Sequence, residues 1–301
     1  MSAASGLPHG GESETSAPPP AKAGGWSLRL RIVSGLLFVP LLVVMSRAGG
    51  FVFLAFVVAE VMLGLLEFYR MMFRKGLQPY VRLGLGAALG LLWVMFRPHT
   101  PQVDALVTGV LLLTLALELR RPEARQRVED MAVTVFGVLY VGWLSAHFVL
   151  LRELPWRAGT PYADGASYVL LAFFITWSCD TGAYAVGRVF GRRRPWALIS
   201  PRKSLEGALG GLLFAVLAAL IARFWFARYL RVWDAAALGL LVGVFAQVGD
   251  LVESLLKRDT AHGDSSDFIP GHGGILDRFD SLYFSAPLVF YYLKVVVFGV
   301  P

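Results

Sequence analysis

The sequence predicts an all-α, polytopic integral membrane protein with about nine transmembrane helices and a polar cavity that faces the cytoplasm in its C-terminal half. Of its 301 residues, 56% are hydrophobic and only 16% are charged, and the mean hydropathy is +0.61. A soluble domain is roughly 45–50% apolar and about 25% charged. Because the excess lies in long apolar runs, the chain has the composition of a protein with membrane-spanning helices.

The apolar runs divide the chain into three regions. Residues 1–25, rich in Ser, Ala, Gly and Pro, predict a disordered cytoplasmic tail. Residues 26–160 are predicted to form N-terminal transmembrane helices, and residues 161–301 a C-terminal transmembrane region that holds the chemically active side chains. The predicted spans are 32–46, 50–69, 83–96, 103–119, 131–150, 166–187, 205–227, 235–256 and 282–300.

Basic residues predict the orientation of these spans. The loops after even-numbered spans hold more Lys and Arg than the others, which places them and the N-terminal tail in the cytoplasm and the C-terminus on the other side. The polar stretches 188–204 and 257–281 are then cytoplasmic. The same bias accounts for the net charge of +7, so we expect no nucleic-acid partner. The single cysteine, Cys179, excludes an internal disulfide framework and a cysteine-based zinc site.

A polar face on the eighth span carries the first group of candidate residues. Asp250, Glu253, Ser254 and Lys257 are spaced i, i+3, i+4 and i+7, so they share one side of a helix. Ionisable residues inside a membrane mark functional sites by default. The face therefore predicts a polar cavity; the alternative is an interhelical ion pair that only holds the bundle together.

A second group of acids opens the last span. Asp277, Asp280 and Ser281 follow the glycine-rich turn Gly271–Gly274, whose backbone N–H groups can approach an anion. Helix capping is the alternative explanation for these acids, because carboxylates favour the first turn of a helix. If carboxylates from the two helices face one cavity, they form a hard-oxygen site that suits Mg²⁺.

A third group lies on the sixth span and the loop after it. Asp180, Tyr184 and Arg188 share one helical face, whereas Gly182 and Gly187 are predicted to be packing positions.

The loop that follows holds a basic run and a predicted phosphate site. Arg192–Arg194 carry either the positive-inside signal or a ligand contact, and both interpretations stay open. Ser204 is predicted to cap the next helix, which would place Arg202 and Lys203 at a helix N-terminus, a good position for binding phosphate.

Three further polar residues lie within the predicted spans. Glu60, Glu67 and His147 are predicted to hydrogen-bond between helices, and a role at the site is left open.

The C-terminal half resembles the phosphatidate cytidylyltransferase family, also known as CDP-diacylglycerol synthases. The resemblance covers roughly residues 175–285, and the first half of the chain agrees only in being apolar. The family pattern S-x-x-K-R, P-x-H-G-G and D-R-x-D is matched in register by Ser254, Lys257, Arg258, Asp264, Ile269, Pro270, His272, Gly273, Gly274, Asp277, Arg278 and Asp280. Residues 180–191 and 200–207 also look like the family. Two residues depart from the pattern, since Gly263 replaces a Lys and Ser204 replaces a Thr.

The resemblance implies an Mg²⁺-dependent enzyme of phospholipid biosynthesis that converts CTP and phosphatidic acid to CDP-diacylglycerol and pyrophosphate, with a monovalent ion beside the Mg²⁺. Together with the residue pattern, it predicts three sets of site residues. The catalytic set is Asp250, Ser254, Lys257, Arg258 and Asp277. The substrate-binding set is Asp180, Arg188, Ser200, Arg202, Lys203, Glu206, His272, Gly273, Gly274 and Arg278. The metal-binding set is Asp250, Asp277 and Asp280.

Other functions remain open at this stage. A CTP-dependent lipid kinase or a cytidylyltransferase for another lipid phosphate would use the same groups. A transporter is the alternative from a different class, but the polar residues cluster on one side of the membrane rather than along a path through it. The expected partners are CTP, phosphatidic acid, the lipid bilayer and, in a homodimer, a second copy of the chain. The expected location is the bacterial inner membrane, with the site on the cytoplasmic side.

Overall fold

The computed structural model describes residues 26–97, 102–121, 126–260 and 274–300, with the backbone alone for 26–36. These residues form nine helices and their connections, which confirms the predicted all-helical class. The helices are α1 (Trp26–Ala48), α2 (Gly50–Arg74), α3 (Val81–Phe96), α4 (Val103–Glu118), α5 (Arg127–Ala158), α6 (Asp164–Phe190), α7 (Leu205–Trp225), α8 (Val232–Asp259) and α9 (Leu276–Tyr291).

Each predicted span corresponds to one helix. Within the described residues, five helices are long and apolar enough to cross a membrane: α2, α5, α6, α7 and α8. The described, apolar part of α1 (Leu37–Ala48) and α3 are shorter. The chain is therefore an integral membrane protein.

Helix α5 extends eight residues beyond the predicted end of its span at 150, and a buried arginine explains why. Arg152 is only 1% exposed. Its guanidinium donates to the carbonyl oxygens of Ser46 (2.6 Å) and Tyr162 (3.2 Å), and it lies 4.1 Å from the Tyr162 ring centroid. Burial and the neighbouring Glu153 carboxylate raise the pKa of the Tyr162 hydroxyl. Because carbonyl partners satisfy the charge, the helix continues through residues that resemble a polar loop.

Glycines bring α6 and α7 into close contact. A Cβ at Gly182 would lie 2.5 Å from Cβ of Phe214, and one at Gly207 would lie 2.9 Å from the carbonyl oxygen of Ala183. A Cβ at Gly187 would lie 3.3 Å from Oγ of Ser204 and 3.4 Å from Cα of Gly207, which is also close packing. Small residues that let helix backbones approach are typical of membrane bundles. The predicted packing roles of Gly182 and Gly187 are confirmed.

Helix α8 packs between α7 and α9, again at glycines. A Cβ at Gly239 would lie 2.6 Å from Cα of Val216 on α7. A Cβ at Gly249 would lie 2.6 Å from the carbonyl oxygen of Asp280 on α9. Any larger side chain at Gly249 would push α9 away, so this glycine sets the distance between the two acid-bearing helices.

The N-terminal half has its own polar cluster where α3, α4 and α5 meet. The Tyr80 hydroxyl donates to the Glu118 carboxylate (2.7 Å). Arg121 pairs with Asp130 (3.0 Å), and the Asp130 carboxylate also accepts the backbone N–H of Gln78 (2.6 Å). Glu118 and Asp130 are 4% and 3% exposed. These buried acids are paired within their own cluster and tie the ends of three helices together.

Candidate active site

A cavity of about 890 Å³ lies between α6, α7, α8 and the loop 191–204. Its polar lining includes six of the predicted site residues: Asp180, Arg188, Ser200, Arg202, Lys203 and Asp250. Its apolar lining includes Leu209 and Leu212 on α7 and Val244 and Val248 on α8. Leu209 and Val244 are also 60% and 48% exposed on the outside of the bundle. The cavity therefore joins a charged wall to a surface made of membrane-facing side chains.

The loop 191–204 keeps its shape through contacts with two charged residues. The Glu206 carboxylate accepts the backbone N–H groups of Arg192 (3.0 Å) and Arg193 (3.1 Å). Arg258 donates through Nε to the carbonyl oxygen of Ile199. Glu206 and Arg258 thus satisfy backbone groups that a loop must pair somewhere. Neither lines the cavity, and their predicted substrate-binding and catalytic roles stay predictions.

Ser204 ends this loop and begins α7. It has extended backbone angles, and its hydroxyl accepts the N–H of Gly207 at 3.1 Å. This is the geometry of an N-cap. The predicted cap is confirmed, and it places Arg202 and Lys203 just before the positive end of a helix.

The cationic wall of the cavity comes from α6 and the loop. Lys203 Nζ lies 2.7 Å from Oδ2 of Asp250, and Arg188 donates to the Tyr184 hydroxyl at 3.0 Å. Arg188 and Arg202 are exposed. The shared face of Asp180, Tyr184 and Arg188 is confirmed, because all three line the cavity.

Beside the cavity, Asp250, Glu253 and Asp280 bring carboxylate oxygens from two helices within 4.8 Å of one another. Glu253 and Asp280 are buried, and Asp250 is half-buried. Oxygen ligands at this separation are what a hard divalent cation requires. Asp250 and Asp280 were predicted ligands, whereas Glu253 was not. Its i+3 spacing from Asp250 was the available signal, since it put both side chains on the same face.

Lys257 joins this cluster to Asp277. Its Nζ lies 2.7 Å from Oε1 of Glu253 and 2.8 Å from Oδ1 of Asp277. The other oxygen of Asp277 accepts the backbone N–H of Gly274 at 3.4 Å. The structure thus pairs Asp277 with a lysine, beside rather than within the three-carboxylate cluster. Its predicted role as a metal ligand stays a prediction.

The remaining predicted residues are less closely tied to the cluster. Ser254 is half-buried on α8 and forms no hydrogen bond with the described part of the chain. Gly274 is buried and Arg278 is exposed. His272 and Gly273 lie outside the described residues, as do Gly263, Asp264, Ile269 and Pro270 of the family pattern.

Carboxylates outnumber lysines where the cavity meets the cluster. Lys203 pairs with Asp250, and Lys257 pairs with Glu253 and Asp277. Asp280 completes the cluster, and Asp180 adds a further carboxyl group on the cavity wall. Buried charges that are not compensated are expensive. Among the described residues, this part of the site therefore gathers more carboxyl groups than lysines, a composition that suits a bound cation, and it lies next to arginines that suit an anion.

Comparison with known proteins gives consistent matches. A model of the cytidylyltransferase family matches residues 29–296. A phosphatidate cytidylyltransferase from Synechocystis sp. is 34% identical over 293 residues, which covers 89% of this chain and 97% of that protein. Proteins of the same name from Staphylococcus epidermidis and Staphylococcus aureus are 32% and 34% identical, each over 86% of this chain and 94% of the relative.

Proposed function

Because the chain belongs to the cytidylyltransferase family, we propose that it transfers CMP from CTP to phosphatidic acid, giving CDP-diacylglycerol and pyrophosphate. It is a membrane-bound nucleotidyltransferase of phospholipid synthesis, since its family and its relatives' names agree and its helices are those of a membrane protein.

One observation carries this proposal: a single cavity combines a cationic wall, an adjoining acid cluster and an apolar wall continuous with the outside of the bundle. The two substrates require this combination. CTP carries a triphosphate, and phosphatidic acid carries a phosphate on a glycerol that also bears two acyl chains. A site for both needs cations for the phosphates and apolar surface for the lipid.

We assign the phosphate contacts to the cationic wall. Arg188, Arg202 and Lys203 line the cavity from two elements, so they can hold oxygens of different phosphate groups. Arginine suits this task because its planar fork binds phosphate through two parallel hydrogen bonds. Ser200 lines the same wall and adds a neutral donor.

We assign the acyl chains to the apolar wall. Leu209 and Val244 line the cavity and are also exposed on the bundle surface. A lipid in the surrounding bilayer would reach the cationic wall along these side chains, with its phosphate entering first and its acyl chains still among membrane-facing residues.

The acid cluster fits Mg²⁺ by its oxygen donors. Asp250, Glu253 and Asp280 would hold the ion through carboxylate oxygens that lie within 4.8 Å of one another, and Mg²⁺ usually takes one or two carboxylates plus substrate phosphates. Bound there, Mg²⁺ would neutralise charge on the triphosphate and on the departing pyrophosphate. Lys257 would hold the Glu253 and Asp277 side chains in place through its two contacts.

The reaction needs no general base. An oxygen of the lipid phosphate attacks the α-phosphorus of CTP and forms a new P–O bond. The bond from that phosphorus to the bridging oxygen breaks, and pyrophosphate leaves with the electron pair. Because the attacking phosphate is already anionic, the protein's task is to bring two anions together and to align them.

The assay that tests this proposal uses purified protein, phosphatidic acid, Mg²⁺ and CTP labelled at either the α- or the γ-phosphate. We expect the α-label in the lipid product and the γ-label in pyrophosphate. Transfer of the γ-label to lipid would identify a lipid kinase instead. Nucleotide-independent uptake of a solute by vesicles, with no labelled lipid in either reaction, would support the transporter.

We further propose that the site faces the cytoplasm, as the basic loops predict. Single cysteines at Ala197 in the loop 191–204 and at Val300 after α9 should then react with a membrane-impermeant thiol reagent from opposite sides of the membrane. The native Cys179 is buried and provides a low background. Labelling of both positions from the same side would rule out the nine-span arrangement.

A further inference from the structure

Two buried acids on α2 contact the helix that carries Asp280, although they lie in the half of the chain that showed no motif. Glu67 is 1% exposed, and its Oε2 accepts the backbone N–H of Leu276 at 2.9 Å. Glu60 is 5% exposed, and its Oε1 accepts the Tyr283 hydroxyl at 2.9 Å. The hydrogen bonds span more than 200 positions in sequence, so each is a specific tertiary contact.

The two contacts match in spacing. Glu60 and Glu67 are seven residues apart on α2, and their partners Leu276 and Tyr283 are seven apart on α9. Residues seven apart in a helix lie on the same face. Asp280 lies between Leu276 and Tyr283 along α9, and therefore between the two points that α2 holds.

Close packing reinforces this alignment from both sides of α9. A Cβ at Gly64, between the two acids on α2, would lie 3.0 Å from the Tyr283 hydroxyl. On the other side, Gly249 of α8 approaches the carbonyl oxygen of Asp280. Helix α9 is thus fixed between α2 and α8 at the level of Asp280.

The side chains by which α2 contacts α9 at these two points are acids rather than apolar residues. A carboxylate that accepts an N–H at a helix N-terminus makes a charge-assisted hydrogen bond and also complements the helix dipole. Apolar residues would pack the same interface without burying a charge. The first turn of α9 is also the point where Asp277 meets Lys257 and where Gly274 is bonded. A displacement of about 1 Å at a reacting centre can cost about 10²-fold in rate.

We propose that Glu67, assisted by Glu60, is a positioning residue that holds the first two turns of α9 in register with α8, so that Asp280 meets Asp250 and Glu253. This inference rests on the proposed function for its kinetic consequence, but not for its structural one. The N-terminal helices would thereby set the geometry of the acid cluster without contributing a ligand to it.

The test compares Glu67→Ala with Glu67→Gln. The Gln side chain keeps an oxygen that can accept the Leu276 N–H, whereas Ala removes the acceptor. Hydrogen–deuterium exchange of the peptide that covers 276–283 reports the contact without any substrate. Steady-state kinetics report its consequence for the reaction.

We expect faster exchange in this peptide for Glu67→Ala and a kcat lowered about 10- to 100-fold, with a smaller change in KM for CTP. Glu67→Gln should restore the protection and most of kcat. Glu118→Ala is the matched control, because Glu118 is an equally buried acid that accepts a tyrosine hydroxyl away from α9. It should leave both the exchange of this peptide and kcat unchanged.

Wild-type exchange in Glu67→Ala would overturn the proposal, as would an equal loss of kcat in Glu118→Ala. A kcat that stays low in Glu67→Gln despite restored protection would also contradict it. If Glu67→Ala does not fold, Tyr283→Phe removes only one hydroxyl and should produce a smaller change of the same kind. If the wild type makes no CDP-diacylglycerol but Glu67→Ala still changes the exchange of this peptide, the positioning role is supported and the proposed reaction is rejected.

Discussion

Replacing Asp250 by Asn should lower kcat/KM by about 10³-fold while the protein still folds and inserts. The side chain keeps its size but loses the charge that it contributes to the three-carboxylate cluster. If the cluster holds Mg²⁺, the metal supplies several kcal/mol of transition-state stabilisation, and each ~1.4 kcal/mol is a factor of ten in rate. Asp250 lies well inside α8, so helix capping cannot explain its presence.

The measurement is CDP-diacylglycerol formation across a Mg²⁺ titration. Asp259→Asn is the matched control, because Asp259 is on the same helix but forms an exposed pair with Lys75, which contributes at most about 1 kcal/mol to stability. Wild-type rates and Mg²⁺ dependence in Asp250→Asn would remove this residue from the site.

The same change at two positions on α9 distinguishes the alternative ligand sets. We expect Asp280→Asn to match Asp250→Asn, since both residues belong to the cluster. Asp277→Asn should lose less, because the Asp277 carboxylate lies beside the three-carboxylate cluster and not within it. Equal losses at Asp277 and Asp280 would instead support the set predicted from the sequence, Asp250, Asp277 and Asp280.

Lys257→Met should both destabilise the protein and lower its activity. The lysine is 19% exposed and lies between Glu253 and Asp277, so its substitution removes the cation that separates these two carboxyl groups. Breaking a buried pair costs about 3–5 kcal/mol, and the partial exposure of Lys257 places the expected loss near the lower end. We also expect kcat/KM to fall about 10- to 150-fold, as for the loss of one charge-assisted contact of about 1.5–3 kcal/mol.

Thermal unfolding and turnover of the same preparations check this prediction. Adding Glu253→Gln to Lys257→Met should recover part of the stability, because it removes one unpaired charge, but should not recover activity. Lys75→Met, which breaks the exposed pair with Asp259, should change neither quantity appreciably. A Lys257→Met protein with the melting temperature and kinetics of the wild type would show that the bridge is unimportant.

The existence of every helix could be predicted from the sequence, because a long apolar run in a membrane protein has few alternatives to a helix. The end of α5 could not. An arginine at position 152 is typical of a polar loop. The carbonyl groups that accept its hydrogen bonds lie on α1 and in the α5–α6 connection, and only the tertiary fold brings them close to it.

Only the part of the site that lies on a single helix could be predicted from the sequence. The spacing along α8 placed Asp250, Glu253 and Lys257 on one face, and the structure agrees. Contacts between helices were not predictable, including Lys203 with Asp250 and Glu67 with Leu276. Glu206 was predicted to bind substrate because it belongs to the family-like stretch 200–207. The sequence could not show that its carboxylate accepts backbone N–H groups of the loop.

In the proposed reaction, the Glu206 carboxylate has a consequence for the rate at which CTP binds. Glu206 and Arg258 bind backbone groups of the loop 191–204 and so fix its conformation. Because the loop is already ordered before CTP binds, little conformational entropy is lost on association. The encounter rate is then governed by diffusion in the electric field of the exposed arginines. Such steering weakens as salt shortens the Debye length, so ionic strength should affect CTP association more than it affects turnover of bound nucleotide.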